Sequence, residues 1–176
     1  MFEGKYKYSD SELKKILKSI VILYDGREKV NDHILKWFDD NKISYKKKTL
    51  LHGDYSFMLP KNEEFGILRD TFFIDKITVE RKNSADELVG NFAKDRNRLE
   101  DEFLRHKGKM TLLIENSTYK DIKDGNYRSD YTSKSAIGTL HSFSEKYNVE
   151  FLFVDKEYTA CYIYCKFYYY LRSLFL

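Results

Sequence analysis

The apolar and polar positions along the chain divide it into alternating strands and helices. Compact β-branched or aliphatic runs predict buried strands over 19–25, 72–82, 110–116 and 149–155. Apolar residues at helical spacing predict helices over 30–41, 84–106, 133–148 and 156–176. The segment 53–59 is predicted to form a hairpin with the strand over 72–82. This order indicates an α/β fold, a mixed β-sheet flanked by helices on both faces.

Composition narrows the class of protein without identifying it. With 176 residues, of which 42% are apolar, the chain can bury a sizeable core, and we expect one domain over 1–176 with no internal repeat. The formal net charge of +3 is too small to indicate a nucleic-acid partner by itself. The first fifteen residues lack the apolar stretch of a secretory signal, so we expect an intracellular, cytoplasmic protein that is not secreted.

Three charged residues in succession end the predicted strand over 72–82. Because side chains alternate along a strand, Glu80 and Lys82 share one face while Arg81 lies on the other. A carboxylate and an ammonium on a buried strand are tolerated only if they are paired, solvated at a cleft or bound to an ion. The alternative is a surface edge strand with hydrated charges, which the apolar residues before Glu80 argue against.

A second acidic residue precedes the partner strand of the predicted hairpin. Gly53 allows a close backbone approach, and pairing would bring Asp54 near Glu80. An Asp and a Glu that converge from adjacent strands suit Mg²⁺, which needs few protein ligands. Lys82 would then lie beside the attacking water in a phosphodiester hydrolysis.

The helix that follows begins with a recognisable cap. Ser84 and Glu87 match a capping box, and Asp86 lies in the predicted first turn. We interpret Ser84 and Glu87 as ordinary capping residues, whereas Asp86 is also a candidate for the site.

Three ordered motifs resemble those of the XPF family of structure-specific endonucleases, a branch of the restriction-endonuclease-like fold. They are "ILYDGRE" at 22–28, "GDY" at 53–55 with "VERKNSAD" at 79–86, which together resemble the GD…ERKxxxD signature, and "DRNRLEDE" at 95–102. In the last motif Glu102 stands where the family has Gln. The resemblance extends over about 21–154.

The resemblance implies roles for individual residues. Asp54 and Glu80 would be metal ligands for Mg²⁺, with Mn²⁺ able to substitute, and Lys82 would be the catalytic lysine. Asp25 would add a further carboxylate to the metal, and Asp86 would complete the signature. Arg81 and Arg27 match motif positions, Arg81 as a candidate catalytic residue and Arg27 as a candidate DNA contact. Arg98 matches an arginine that would contact phosphate, and for each arginine a structural salt bridge is the alternative.

The expected partner is DNA, bound through its phosphates. Lys46, Lys47 and Lys48 are candidate contacts, with a solvated strand end as the alternative. Many family members carry a helix-hairpin-helix module after the nuclease domain, and we expect none within this chain.

The closing helix is apolar or aromatic on nearly every face, yet too short and too charged to predict a membrane span. We therefore expect a homodimer through the C-terminal helices, with burial inside one protomer as the alternative. Together with Asp54, Glu80 and Lys82, the family resemblance implies a Mg²⁺-dependent endonuclease of branched or flapped DNA. The alternative function is a catalytically inactive subunit with a nuclease fold that binds DNA or protein.

Overall fold

The computed structural model describes residues 8–175. Their helices are α1 (Asp10–Lys18), α2 (Asp32–Asp40), α3 (Ala85–Lys94), α4 (Arg96–Arg105), α5 (Tyr119–Asp124), α6 (Ser133–Tyr147) and α7 (Thr159–Ser173). The strands are β1 (Val21–Tyr24), β2 (Tyr45–Lys47), β3 (Tyr55–Leu59), β4 (Thr71–Phe72), β5 (Ile77–Lys82), β6 (Lys109–Glu115) and β7 (Val149–Val154). Among the described residues these seven strands form a mixed sheet flanked by helices, which confirms the predicted fold class.

The described chain divides into two compact units. The first contains residues 8–51, 55–74 and 160–175, and the second contains 52–54 and 75–159. Asp54, Glu80 and Lys82 all belong to the second unit, whereas Asp25, Arg27 and the Lys46–48 triplet belong to the first.

In the first unit β1 pairs with strands of both orientations. It runs parallel to β2 and antiparallel to β3, and β3 also pairs antiparallel with β4. The ring of Phe57 on β3 stacks against Phe73 with the centroids 4.4 Å apart, and against Phe167 of α7 at 5.3 Å. These aromatic contacts join the sheet and α7 into the core of this unit.

In the second unit β5, β6 and β7 are consecutive parallel strands, so β6 is covered by pairing on both sides. The apolar faces of α3, α4 and α6 pack on one core cluster, in which Leu88, Phe92, Phe103 and Phe143 are buried. Parallel strands need connections that cross the sheet, and helices supply them. Within this unit β5 is therefore held by its parallel pairing with β6.

Two predicted elements are each divided in the structure. The strand expected over 72–82 is β4 and β5 with a turn between them, because Phe73 N–H still donates to Phe57 O at 3.0 Å whereas Ile77 pairs with Lys109. The helix expected over 84–106 is α3 and α4, since Asp95 has φ −118° and ψ 24°, outside the helical region. The apolar spacing did not reveal the break, because residues on both sides of Asp95 pack on the same core.

Two short helices were not predicted from apolar spacing. Both α1 and α5 have a complete capping box, formed by Ser9 with Glu12 and by Thr118 with Asp121. Those polar pairs were the available sequence signal.

Helix α7 has one fully buried stripe, formed by Ala160, Ile163, Phe167 and Leu171. Its other faces are half-buried or exposed, and Tyr169 is 60% exposed. The expected dimer through this helix stays a prediction. None of the helices within residues 8–175 combines the length and the apolar character that crossing a bilayer requires. Of the fifteen residues considered for a secretory signal, residues 1–7 lie outside the described residues.

Candidate active site

The alternation along β5 places Glu80 and Lys82 on one face. Lys82 Nζ donates to Glu80 Oε1 at 2.6 Å, and both side chains are largely buried, at 8% and 12% exposure for Lys82 and Glu80. Lys82 Nζ also lies 3.8 Å from Glu87 Oε1. The predicted neighbourhood of the carboxylate and the ammonium is therefore present.

The charges of this pair depend on each other. Burial raises the pKa of Glu80, the attraction of Lys82 opposes this rise, and the nearby carboxylates of Glu102 and Glu87 add to it. For Lys82, burial alone would lower the pKa, but the attraction of Glu80, Glu87 and Asp54 outweighs burial, so the pKa is raised. Lys82 is thus a cation near neutral pH, surrounded by more than one negative charge.

Asp54 approaches the same strand through its backbone and its side chain. Asp54 N–H donates to Val79 O at 2.9 Å, and Arg81 N–H donates to Asp54 Oδ2 at 2.8 Å. Gly53 makes this approach possible, since its φ is +70° and a Cβ there would lie 2.9 Å from Thr78 Cβ. The structure therefore brings Asp54 to β5, as the sequence predicted.

Glu102 belongs to this site, although the sequence interpretation gave it no role. Its Oε1 accepts a hydrogen bond from Gly53 N–H at 3.2 Å, and its charge acts on Glu80. The contact joins α4 to the Gly53–Asp54 turn. The acidic residue in place of the family's Gln was the only sequence signal.

The predicted capping box at α3 is half correct. Ser84 is the N-cap and accepts from Glu87 N–H, but the Glu87 carboxylate accepts from Asn83 N–H at 2.9 Å instead of from Ser84. Because its other oxygen faces Lys82, Glu87 contributes to the charge of the site as well as to the cap.

Arg81 lies on the opposite face of β5 from Glu80. Its guanidinium donates to Glu115 Oε2 at 2.8 Å and to Asn83 Oδ1, and the side chains of Arg81 and Glu115 are 1% and 0% exposed. These contacts match the structural alternative, a buried salt bridge. The catalytic role of Arg81 stays a prediction that these contacts do not support.

Asp86, in the first turn of α3, binds a loop of the same unit. Its Oδ1 accepts from Arg128 N–H at 2.6 Å, and its Oδ2 lies 3.7 Å from Arg128 Nε. The described contacts of Asp86 are therefore with Arg128, not with Arg81.

Asp25 is almost completely buried, and both of its oxygens accept hydrogen bonds. Arg27 donates to Oδ1 from its backbone N–H at 2.8 Å and from Nε at 2.9 Å, and Leu50 N–H donates to Oδ2 at 2.7 Å. Burial would raise the pKa of Asp25, but these hydrogen bonds and the charge of Arg27 lower it. The contacts describe an anchor for the turn after β1, and a metal role for Asp25 stays a prediction.

The predicted DNA contacts are mostly exposed. The side chain of Arg27 is 73% exposed even though it pairs with Asp25, and that of Arg98 is 77% exposed and 3.9 Å from Asp95. Lys46 and Lys47 are exposed, and Lys48 is half-buried with its Nζ 4.8 Å from the centre of the Phe72 ring. Each of these cations is accessible to a phosphate.

The donor set around β5 fits a hard divalent cation. Among residues 8–175 no three His, Cys, Asp or Glu side chains converge into a complete metal site, so the protein ligands would be the carboxylates of Asp54 and Glu80. Mg²⁺ commonly binds through one or two carboxylates and keeps several waters. The surplus of carboxylates around Lys82, and the raised pKa of Glu80, are conditions that a bound cation would relieve.

Comparisons with known proteins bear on the family and on the fold. The family model described as "ERCC4 domain" matches residues 24–167. Among solved structures, XPF from Aeropyrum pernix is 19% identical with a TM-score of 0.62, and the match covers 88% of this chain and 66% of that one. The structure of XPF from Aeropyrum pernix in complex with DNA is 18% identical with a TM-score of 0.59, covering 88% of this chain and 65% of that one. The chain thus spans slightly less than two thirds of these proteins. A search of curated proteins gave no match.

Proposed function

We propose, because this chain belongs to the ERCC4-domain family, that it is a Mg²⁺-dependent endonuclease that hydrolyses phosphodiester bonds in branched or flapped DNA. The observation that carries the proposal is the meeting of Asp54, Glu80 and Lys82 at β5. Buried charges of this kind cost stability, and clusters of perturbed charges are more frequent at functional sites than elsewhere.

The protonation state of Lys82 defines its part in the reaction. Since the pKa of Lys82 is raised, its ammonium is a hydrogen-bond donor and not a base at neutral pH. Lys82 therefore orients the attacking water and stabilises negative charge that develops on the phosphate. Glu80 holds the ammonium in place through the 2.6 Å contact.

The carboxylates of Asp54 and Glu80 would hold the cation. Mg²⁺, or Mn²⁺ in its place, supplies polarisation of the phosphate and a lower pKa for the attacking water. The Asp54 carboxylate is oriented by the hydrogen bond from Arg81 N–H. The turn at Gly53 lets the backbone of Asp54 lie close to β5.

The character of the candidate DNA contacts supports a DNA substrate that is recognised without reading its sequence. Arg27, Arg98, Lys46 and Lys47 are exposed cations and Lys48 is a half-buried one, and such cations bind phosphates but do not distinguish bases. Binding of this kind responds to DNA shape and weakens steeply with salt. That one solved relative is named as a complex with DNA supports a DNA partner for this chain as well.

The experiment compares parent protein with Glu80→Gln and Lys82→Ala on a forked DNA in Mg²⁺. Each variant should lose at least about 100-fold in cleavage rate, the scale on which a charge-stabilising group acts. Binding of the same DNA in EDTA should stay close to that of the parent for both variants, and so should the melting temperature of Glu80→Gln. Lys82→Ala leaves the buried Glu80 carboxylate without its cation, so its melting temperature should fall, and its cleavage is compared with the parent's at a temperature where both proteins are folded.

A matched control is Glu145→Gln, which removes one exposed carboxylate from α6 and should leave cleavage unchanged. Undiminished cleavage by Glu80→Gln would show that the nuclease site is assigned wrongly. Absence of cleavage by the parent protein on forks, flaps and four-way junctions would favour the inactive binding subunit instead.

A further inference from the structure

A cavity of about 520 Å³ opens beside α3 in the second unit. One wall is a single face of that helix, with Asp86, Gly90 and Lys94 at intervals of four, and the other is the segment 128–131. Its volume lies within the range of about 300–1,000 Å³ that small-molecule sites occupy. None of the interactions at β5 described above occupies this space.

The walls of the cavity are held in place by hydrogen bonds. Tyr131 Oη and Thr139 Oγ1 are 2.8 Å apart, and Tyr127 Oη–H donates to Tyr131 O at 2.9 Å. Arg128 N–H is tied to Asp86 at 2.6 Å. The cavity therefore exists before any ligand enters, and binding there would cost little reorganisation.

Glycine keeps the cavity open. A Cβ at Gly90 would meet no atom within 4 Å, so the position is open space although it lies in the middle of α3. Glycine inside a helix is unfavourable relative to alanine, and no crowding at Gly90 requires it. Because Gly90 has no side chain, the wall that α3 contributes leaves space in the cavity for a ligand.

The lining combines three kinds of group. Lys94 and Arg128 supply positive charge, with the Arg128 side chain 95% exposed. Tyr131 supplies an aromatic side chain, and Asp86 and Asp130 supply carboxylate acceptors. An apolar ligand would take these charged groups out of water without offering them a hydrogen-bond partner, and a ligand with several phosphates would be repelled by the two carboxylates.

We propose that this cavity binds one unpaired nucleotide of the DNA. Its base would pack on Tyr131, its phosphate would contact Lys94 or Arg128, and an exocyclic amino group of adenine or cytosine would donate to Asp86 or Asp130. The inference rests on the proposed function, because it assigns the unpaired arm of a branched substrate to a defined place. It adds a reason for the enzyme to distinguish a fork from an uninterrupted duplex.

The test uses the full chain in EDTA and a forked oligonucleotide with 2-aminopurine as its first unpaired base. Gly90→Leu places an apolar side chain in the cavity, and the Cβ of that side chain meets no neighbour within 4 Å. This variant should bind the fork about tenfold more weakly than the parent, the scale on which one stacked base contributes, and should lose the quenching of 2-aminopurine fluorescence. Its affinity for a fully paired duplex should not change.

Gly138→Leu is the matched control, since Gly138 is also a helical glycine with open space at its Cβ but does not line the cavity. It should behave as the parent. A second pair of variants separates binding from any change in folding: Lys94→Glu is compared with Lys134→Glu, an exposed lysine of α6. Only Lys94→Glu should weaken fork binding more than duplex binding.

Equal fork binding by Gly90→Leu and the parent would overturn the inference, as would an equal loss on fork and duplex. So would a Lys94→Glu variant that cannot be told from Lys134→Glu. A parent protein that cleaves no DNA, while these binding differences hold, would refute the proposed nuclease activity and leave the nucleotide site standing. A parent protein that cleaves forks but shows none of these binding differences would refute the nucleotide site and leave the nuclease activity standing.

Discussion

The buried ion pair of Arg81 and Glu115 gives the sharpest prediction for stability. With the two side chains 1% and 0% exposed and 2.8 Å apart, Arg81→Met leaves the Glu115 carboxylate buried without its cation. Breaking such a pair costs about 3–5 kcal/mol. For a chain of 176 residues each kcal/mol corresponds to roughly 2–4 °C in melting temperature, so we expect a fall of about 6–20 °C.

The double variant Arg81→Met with Glu115→Leu should recover most of this loss. Both charges are then absent, and an apolar pair of similar volume replaces a pair whose removal from water was costly. We expect its free energy of unfolding to lie within about 2 kcal/mol of the parent, so the two single effects are far from additive.

The assay is urea unfolding followed by circular dichroism on the parent, the two single variants and the double variant. A fork-cleavage assay on the same four proteins separates structure from chemistry. If Arg81→Met unfolds like the parent but loses cleavage, the guanidinium acts in the reaction, as the family motif implied, and the structural reasoning is wrong.

Three further predictions concern other parts of the chain. Glu102→Gln keeps an acceptor for Gly53 N–H and should unfold like the parent, whereas Glu102→Ala should lose about 1 kcal/mol in urea unfolding; equal values for both would contradict the contact. Asp25→Asn should lose about 1–3 kcal/mol near neutral pH. Because the folded pKa of Asp25 is lowered, the parent's advantage is complete above the ordinary value of 3.8 and disappears as pH falls through the folded value, which urea titrations at several pH values would detect. Light scattering at micromolar concentration should give a dimer mass if α7 packs against a second copy, and a monomer mass would exclude that.

The sequence by itself determined the features that depend on local periodicity. The alternation of side chains along a strand was enough to place Glu80 and Lys82 together and Arg81 apart, and the positive φ of Gly53 accords with the choice of glycine before Asp54. Apolar spacing also identified the buried positions of α3 and α4. These properties depend only on residues that are close together in the sequence, so a short stretch of sequence is enough to predict them.

Only the tertiary structure decided which partners the charged side chains acquire. Glu102 reaches Gly53 across 49 positions and Glu115 reaches Arg81 across 34, distances over which the sequence carries no periodic signal. The break at Asp95 is a further case, since the ten-residue helices on either side pack their apolar residues on the same core, as one continuous helix would. A charge buried in a fold takes whichever opposite charge or donor the packing of the helices and strands brings to it, because leaving it alone away from water is the costlier state.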